Sequence, residues 1–544
     1  MYAVPTESSI EAHHLFPVLL LFTPVGSGPA DRSCSPMKDT VSGEDRARRR
    51  IGARSVRMAL WMGLPAVAIL VGFALALYMK PGSHPSDAPV TIPPRPIVAV
   101  LPMIDLDGAH NVAFNEGFID EIDVGLAMVQ DLELRGRVSA RSYKDVNRDA
   151  GQAGASLGAA VVLDAASRRS GGRFRIAARL IDTRSGAVVW SGVQDTTLAE
   201  WFVARDAIVE GVASALGLRL GEEQRRRLAR RRTDAEAFEL YAQGRFGWAE
   251  SEGGDLLEAM YYYHLAIEAD SSFAPAWTAL AEAYVALPRF SRFPVESVRH
   301  EGAAAARTAL RIDPDGADAH AVLGEILFLY ERDYSGGRAH LERAVELDPG
   351  NGNALTHLCE LAMYEGRLSN AEDACRRAVE VDAFAFHAAW LQANLQKLQD
   401  NFGGALAGLD SLRSMFPEYL PLSADVLFTR LLVGDSTRGN EDLQYWVGLL
   451  GGRDDLAAEL SAGNVVLALR RLTAELDPAP SDLTALSALL GDYPSALEAA
   501  VRAVRERDPG SLRFAVFPEY AKLRERAEFQ VLLSELNLTS VDGQ

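Results

Sequence analysis

Small and apolar residues recur along the second half of the chain at a spacing that fits helices in pairs. His320-Ala-Val-Leu-Gly324 is followed by Tyr334, Leu341, Ala344 and Asp348-Pro349. Leu355, Leu358-Cys359, Gly366-Arg-Leu368, Ala371, Cys375, Ala378 and Asp382-Ala383 repeat the pattern. Ala389, Ala393, Asn401-Phe402, Ala405, Leu409, Leu412 and Phe416-Pro417 repeat it again. Unit ends at Asp313, Asp348, Asp382 and Phe416 are 34 or 35 residues apart. A period of this length predicts antiparallel helix pairs stacked into a solenoid, each pair burying its stripe against the next. Small residues mark the closest approaches: Ala281, Gly324, Cys359 and Ala393 in first helices, and Gly302, Gly337, Ala371 and Ala405 in second helices. Pro314, Pro349 and Pro417 cannot continue a helix and separate the units.

Five units are expected over residues 234–417, the second carrying a loop insertion at Pro288–Pro294. Residues 418–480 read as helical but fit the pattern poorly. A late unit returns at Gly491-Asp-Tyr493 through Asp508-Pro509, and an amphipathic helix after Phe517 is expected to cap the stack. The whole of 418–544 is read as degenerate repeats and cap.

Upstream the period changes. Ile97–Pro102, Leu132–Arg135, Val161–Asp164, Arg173–Asp182 and Ala187–Trp190 read as strands. Phe114–Val129, Asp145–Leu157 and Trp201–Leu216 read as helices, and Ser170-Gly-Gly172 and Thr183–Gly186 supply turns. The expectation is a small α/β domain over 97–218. Residues 58–79 carry no charge and suffice to cross a hydrocarbon core. Six arginines between Arg46 and Arg57 precede them, so the positive-inside rule would leave the N-terminus in the cytoplasm. The localisation expected is therefore a single-pass inner (cytoplasmic) membrane protein with periplasmic C-terminal domains. Residues 1–57 read as a disordered tail with a true start at Met37, and 80–96 as a proline-rich spacer.

The repeat resembles the tetratricopeptide repeat (TPR), with five units in one register. The order Ala99-Val-Leu-Pro102, Asn115–Glu121 and Leu180–Gly186 … Trp190, followed by Glu239–Arg245, resembles the TolB N-terminal-like domain that precedes TPR arrays in bacterial envelope proteins. Such proteins often carry a nucleotide cyclase or winged-helix module on the cytoplasmic side, for which 57 residues are too few. The resemblance implies a mainly α protein that senses or holds other proteins, without an inherited active site.

The net charge of −19 is uneven: residues 1–80 have nine basic and six acidic groups, and the rest is strongly acidic. An acidic body argues against nucleic acid as a partner. Gly151–Gly158 lacks a dinucleotide-binding spacing, and Asp105-Leu-Asp107-Gly108 lacks the turn glycine of a calcium loop. Glu222-Glu223 and Asp454-Asp455 read as solvated faces. No catalytic set, cofactor or metal is expected. Aligned repeats place Glu282, Glu325, Glu360 and Asn394 at one groove position, joined by Trp390, as an acidic ladder for a basic or amphipathic partner. Independently solvated glutamates fit the same spacing. Cys359 and Cys375 face each other within one unit, as a disulfide or as two small buried residues. The function expected is a membrane-anchored periplasmic scaffold for proteins or peptides. The alternative is a transmembrane sensor whose output domain lies on another chain.

Overall fold

A computed structural model describes residues 95–107, 112–143, 148–250, 256–290, 295–382, 385–451 and 465–538. Its strands are β1 (Ile97–Val100), β2 (Ile104–Asp105), β3 (Glu133–Leu134), β4 (Val161–Ser170), β5 (Arg173–Asp182) and β6 (Val188–Thr197). They form one sheet in the order β3-β1-β4-β5-β6, with β2 beside β4. β1 lies parallel to β3 and β4, while β4, β5 and β6 form an antiparallel meander. The β4–β5 hairpin opposes Ser170 to Arg173 across Gly171 and Gly172, at φ +56° and +78°. Two positive φ values at one turn call for glycine.

Helix α1 (Val112–Ala127) buries Phe114, Phe118, Ile122 and Leu126 on one face of the sheet, beside Phe174, Ile176 and Leu180 of β5. The short helices α2 (Arg137–Arg141) and α3 (Ala150–Ser156) cover the other face through Ala140, Ala150 and Ala153. Helix α4 (Trp201–Ala215) packs beside α1, and α5 (Glu222–Arg230) leads into the repeats.

Among the described residues, six consecutive helical hairpins follow. They pair α6 (Ala235–Glu250) with α7 (Leu256–Ala269), α8 (Ala274–Phe290) with α9 (Ala303–Ile312), and α10 (Ala317–Ile326) with α11 (Tyr334–Leu347). The next three pair α12 (Gly352–Tyr364) with α13 (Leu368–Val381), α14 (Phe386–Leu398) with α15 (Phe402–Met415), and α16 (Leu420–Leu432) with α17 (Ser436–Leu449). The turn inside a hairpin has its own period. Arg332, Gly366, Asp400 and Gly434, each 34 residues apart, all have positive φ. In three of these turns the next residue caps the second helix: Asp333 accepts from Gly336 N (2.9 Å), Asn401 from Gly404 N (3.1 Å) and Asp435 from Arg438 N (3.2 Å). At Gly337 an added Cβ would stand 2.8 Å from Phe328 Cβ, so that position must stay small.

The sheet domain and the solenoid share one core. Phe174 stacks on Phe114 (4.1 Å), Phe114 meets Phe238 of α6 edge-on (5.9 Å), and Phe238 stacks on Trp201 (4.0 Å). Trp201 and Phe238 are fully buried. Aromatic pairs at these separations add roughly 0.5–1.5 kcal/mol beyond area burial. At Gly117 of α1, an added Cβ would lie 2.8 Å from Ala242 Cβ of α6.

Several expectations change. The register does not fade after Pro417: α16 and α17 form a further hairpin, legible only once the turn residues are aligned. Of the insertion expected at 288–294, Pro288 to Phe290 belong to α8, and 291–294 lie outside the described residues. The C-terminal part, α18 (Val465–Leu476), α19 (Pro480–Leu489), α20 (Tyr493–Arg505), the 3₁₀ turns Pro509–Ala515 and Pro518–Tyr520, and α21 (Ala527–Glu535), folds back on the array. Arg332 donates to Val504 O (3.0 Å), Arg507 to Tyr330 O (3.2 Å), and the Tyr334 hydroxyl to Leu536 O (2.6 Å). The tail therefore lies along the third hairpin, where buried carbonyls at helix ends meet donors.

The inner-membrane localisation is corrected. No helix among the described residues is long and apolar enough to cross a membrane. The expected span at 58–79, the tail before it and most of the spacer after it lie outside the described residues, as does Asp454-Asp455.

Candidate functional site

A cavity of about 630 Å³ lies between the sheet domain and the inner face of the first hairpins. α1, α5 and the segment 134–141 form one wall, and α6, α8, α10 and α12 with the turns at Asp313, Asp348 and Asp382 form the other. These turns also fasten the two parts. Gly136 N donates to Val381 O (2.7 Å), Ser139 N to Asp382 Oδ1 (3.1 Å), and Arg227 to Asp315 O (2.9 Å). The Asp-Pro ends read as helix breaks thus serve as acceptors too: Asp348 Oδ1 takes Gly350 N (3.0 Å) within its own turn.

Nine carboxylates line the cavity against five arginines. Arg245 is held between Asp120 (2.8 Å) and Glu282 (3.0 Å), and Arg231 is committed to the fully buried Glu121. The carboxylates that remain repel one another. Burial raises Asp123 well above the usual carboxylate range, and Asp348 and Asp318 add to the shift. Burial, then the charge of Asp318, pushes the half-buried Asp348 up to about 7. Burial also raises Glu282, only partly opposed by Arg245.

The acids read from the repeats as a ladder do not stand open. Glu325 and Glu360 are 7% and 6% exposed and flank one histidine. His357 Nε2 lies 3.0 Å from Glu325, and its Nδ1 lies 3.2 Å from Glu360 Oε2. The Tyr364 hydroxyl donates to Glu360 Oε1 (2.8 Å), and His387 Nε2 lies 3.8 Å from Oε2. Burial opposes charge in this group, yet the two carboxylates hold His357 up at about 9, and the histidines hold Glu360 down at about 2. Glu325, His357 and His387 line the cavity.

Farther along, the groove is filled by the chain itself. Asn394 (2% exposed) donates to Asp425 (3.1 Å), and Trp390 Nε1 donates to the same carboxylate (2.8 Å). Arg513 of the C-terminal segment pairs with Asp425, the buried Lys397 lies 3.4 Å from it, and Glu519 meets Lys397 from the other side. Burial would raise Asp425, but Arg513 and Lys397 hold it at about 2. Asn394 and Trp390 are therefore parts of an internal plug. Sequence reading missed His357, His387, Asp425 and Arg513. Only Asp425 left a signal, since it sits 68 residues, two periods, after His357.

Cys359 and Cys375 lie on α12 and α13, both buried, with Cα atoms 5.1 Å apart and sulfurs at bonding distance.

No family model matches the chain, so the TolB-like reading of the sheet domain rests on its residue pattern alone. A stretch of 205 residues, 37% of the chain, is 29% identical to a protein of Rhizobium meliloti (strain 1021) named putative adenylate cyclase 3, of which it covers 35%. The chain thus spans about a third of the length of that curated relative. Among solved structures, YrrB, described as a TPR protein with an unusual peptide-binding site, superposes with a TM-score of 0.24 at 23% identity, covering 34% of this chain and 89% of YrrB. PilF of Pseudomonas aeruginosa gives 0.30 at 15% identity, covering 47% of this chain and 98% of that one. The APC/C hetero-tetramer Cut9-Hcn1 gives 0.37 at 13%, with coverages of 61% and 59%. At these scores the superpositions add nothing to what the hairpins themselves display. Their 34-residue step, turn geometry and small contact residues make the repeat region a TPR-type solenoid, joined through a common core to a small α/β sheet domain.

Proposed function

We propose that the chain is a protein-interaction scaffold whose cavity takes a basic or amphipathic segment of a partner polypeptide. The surplus of carboxylates in that cavity carries the reading. Mutually repelling acids at a partly enclosed surface favour a cation, and a guanidinium or ammonium on a peptide would relieve the repulsion. The far end of the groove supports this, because there the chain's own Arg513 sits on Asp425. The reading is of a binding module rather than an enzyme. No nucleotide chemistry comes from the cyclase-named relative, which is matched over about a third of its length.

Fluorescence polarisation with a labelled Arg-containing amphipathic peptide and its Arg→Glu counterpart tests the proposal. The basic peptide should bind at least about tenfold tighter, lose affinity with rising salt, and lose at least about tenfold to Asp318→Arg on the cavity wall. Exposed Asp373, away from the cavity, should be replaceable by Arg without effect. Equal binding of the two peptides overturns the reading.

A further inference from the structure

We propose that His357, Glu360 and His387 form a three-ligand site for a zinc-class divalent cation on the wall of the cavity. The proposal rests on side-chain placement and not on the peptide reading. One donor atom from each residue lies within 4.8 Å of the others. His357 Nδ1 and His387 Nε2 lie 3.2 Å and 3.8 Å from the same oxygen, Glu360 Oε2. Donors around a tetrahedral zinc stand roughly 3.3–3.5 Å apart, given bonds of about 2.0–2.2 Å, so a modest turn of His387 closes the set. The His387 side chain keeps 23% exposure, whereas those of His357 and Glu360 keep 7% and 8%.

The groups behind the ligands are those a metal site needs. Glu325 lies 3.0 Å from His357 Nε2, where it would hold an Nε2–H tautomer and leave the Nδ1 lone pair directed at the cation. The Tyr364 hydroxyl occupies Glu360 Oε1 and leaves Oε2 turned to both imidazoles. His357 and Glu360 are one helical turn apart on α12, and His387 begins α14 of the next hairpin. Stacking alone brings them together, which is why no ligand spacing is visible in the sequence. His357 and His387 both line the cavity, so a fourth position would face it, as in zinc sites that keep one coordination place open. Two imidazoles and a carboxylate suit zinc, cobalt or nickel over calcium or magnesium. On binding, the cation takes the Nδ1 lone pair and any proton there leaves to solvent.

The test uses the untagged full chain, stripped with chelator. Calorimetric titration with Zn²⁺ should show one equivalent bound, and Co²⁺ should give the visible bands of a tetrahedral nitrogen and oxygen site. His387→Ala, at a partly exposed position, should weaken zinc at least about 100-fold with an unchanged circular dichroism melt. Glu325→Gln should weaken it about 10–100-fold, the range for second-layer partners of a ligating histidine. The other histidine pair, His320 and His340 with Nδ1 atoms 2.8 Å apart, is the internal rival. His340→Ala should leave zinc affinity unchanged. Absence of stoichiometric zinc, or zinc kept by His387→Ala, or lost in His340→Ala, overturns the proposal.

Discussion

The two ends of the inner groove draw their acids from different repeat positions and reach opposite states. At the front, Glu282, Glu325 and the turn acids face a cavity, and the cations present are shared among more carboxylates than they can neutralise. At the back, Asp425 is fully buried and meets Arg513, Lys397 and Asn394 at once. The contrast arises from what packs opposite. The sheet domain brings Asp120 and Asp123 together with Arg135 and Arg141 to a wall where the repeats already supply seven acids, whereas the returning C-terminal segment sets Arg513 on Asp425. The charge state along a solenoid groove thus depends on the surface laid over it.

The largest expected effect lies at the back. Asp425→Ala would leave Arg513 and Lys397 without their shared carboxylate and should cost about 3–5 kcal/mol, read as a lower urea midpoint at constant m-value. Glu282→Ala at the front, where the side chain is 22% exposed and Arg245 retains Asp120, should cost about 1 kcal/mol. Equal costs would erase the distinction between a satisfied and an unsatisfied end.

The next effect is a pH dependence of the front. The Asp348 carboxyl, raised to about 7 by burial and Asp318, binds its proton more tightly folded than unfolded. The folded chain then holds the extra proton between the unfolded pKa of about 4 and pH 7, so stability falls as pH rises through that window. Asp348→Asn keeps an oxygen for Gly350 N and should remove on the order of 1–2 kcal/mol of that loss, measured as the difference in Tm between pH 5 and pH 8. A variant with the parent's full pH slope would show that this acid is not strained.

The smallest effect concerns the turns. Asp400 is exposed and holds φ +59° where Gly366 and Gly434 hold the equivalent place. Asp400→Gly should stabilise by about 0.5 kcal/mol, since glycine adopts the left-handed region without a Cβ penalty. A loss of stability there would mean that chain entropy in the unfolded state outweighs local strain.

Much of the architecture was legible because it is local. The 34-residue step, the small residues at 324, 337, 359, 371 and 393, and the turns that start second helices follow from helix packing and φ preference, which act within one unit and its neighbour. Five of the six strands of the sheet domain were legible from apolar and β-branched runs between turn residues, β5 reading inward at Phe174, Ile176, Ala178 and Leu180, while the two-residue β2 left no such run. The sixth hairpin was obscured because Leu427 and Phe428 replace the small residue and glutamate by which earlier units had been aligned.

What stacking decided was which polar residues meet. The glutamates at 282, 325 and 360 were countable in the sequence, but their partners Arg245, His357 and His387 come from neighbouring units, and Arg513 from 88 residues beyond Asp425. Charge interactions depend on distance in space and on the water removed around them, and neither quantity is written along the chain. The sequence by itself therefore determined a repeating helical strip with an acidic inner line. The sheet domain and the tail, folding against the two ends of that strip, decided where it is filled and where it remains a cavity.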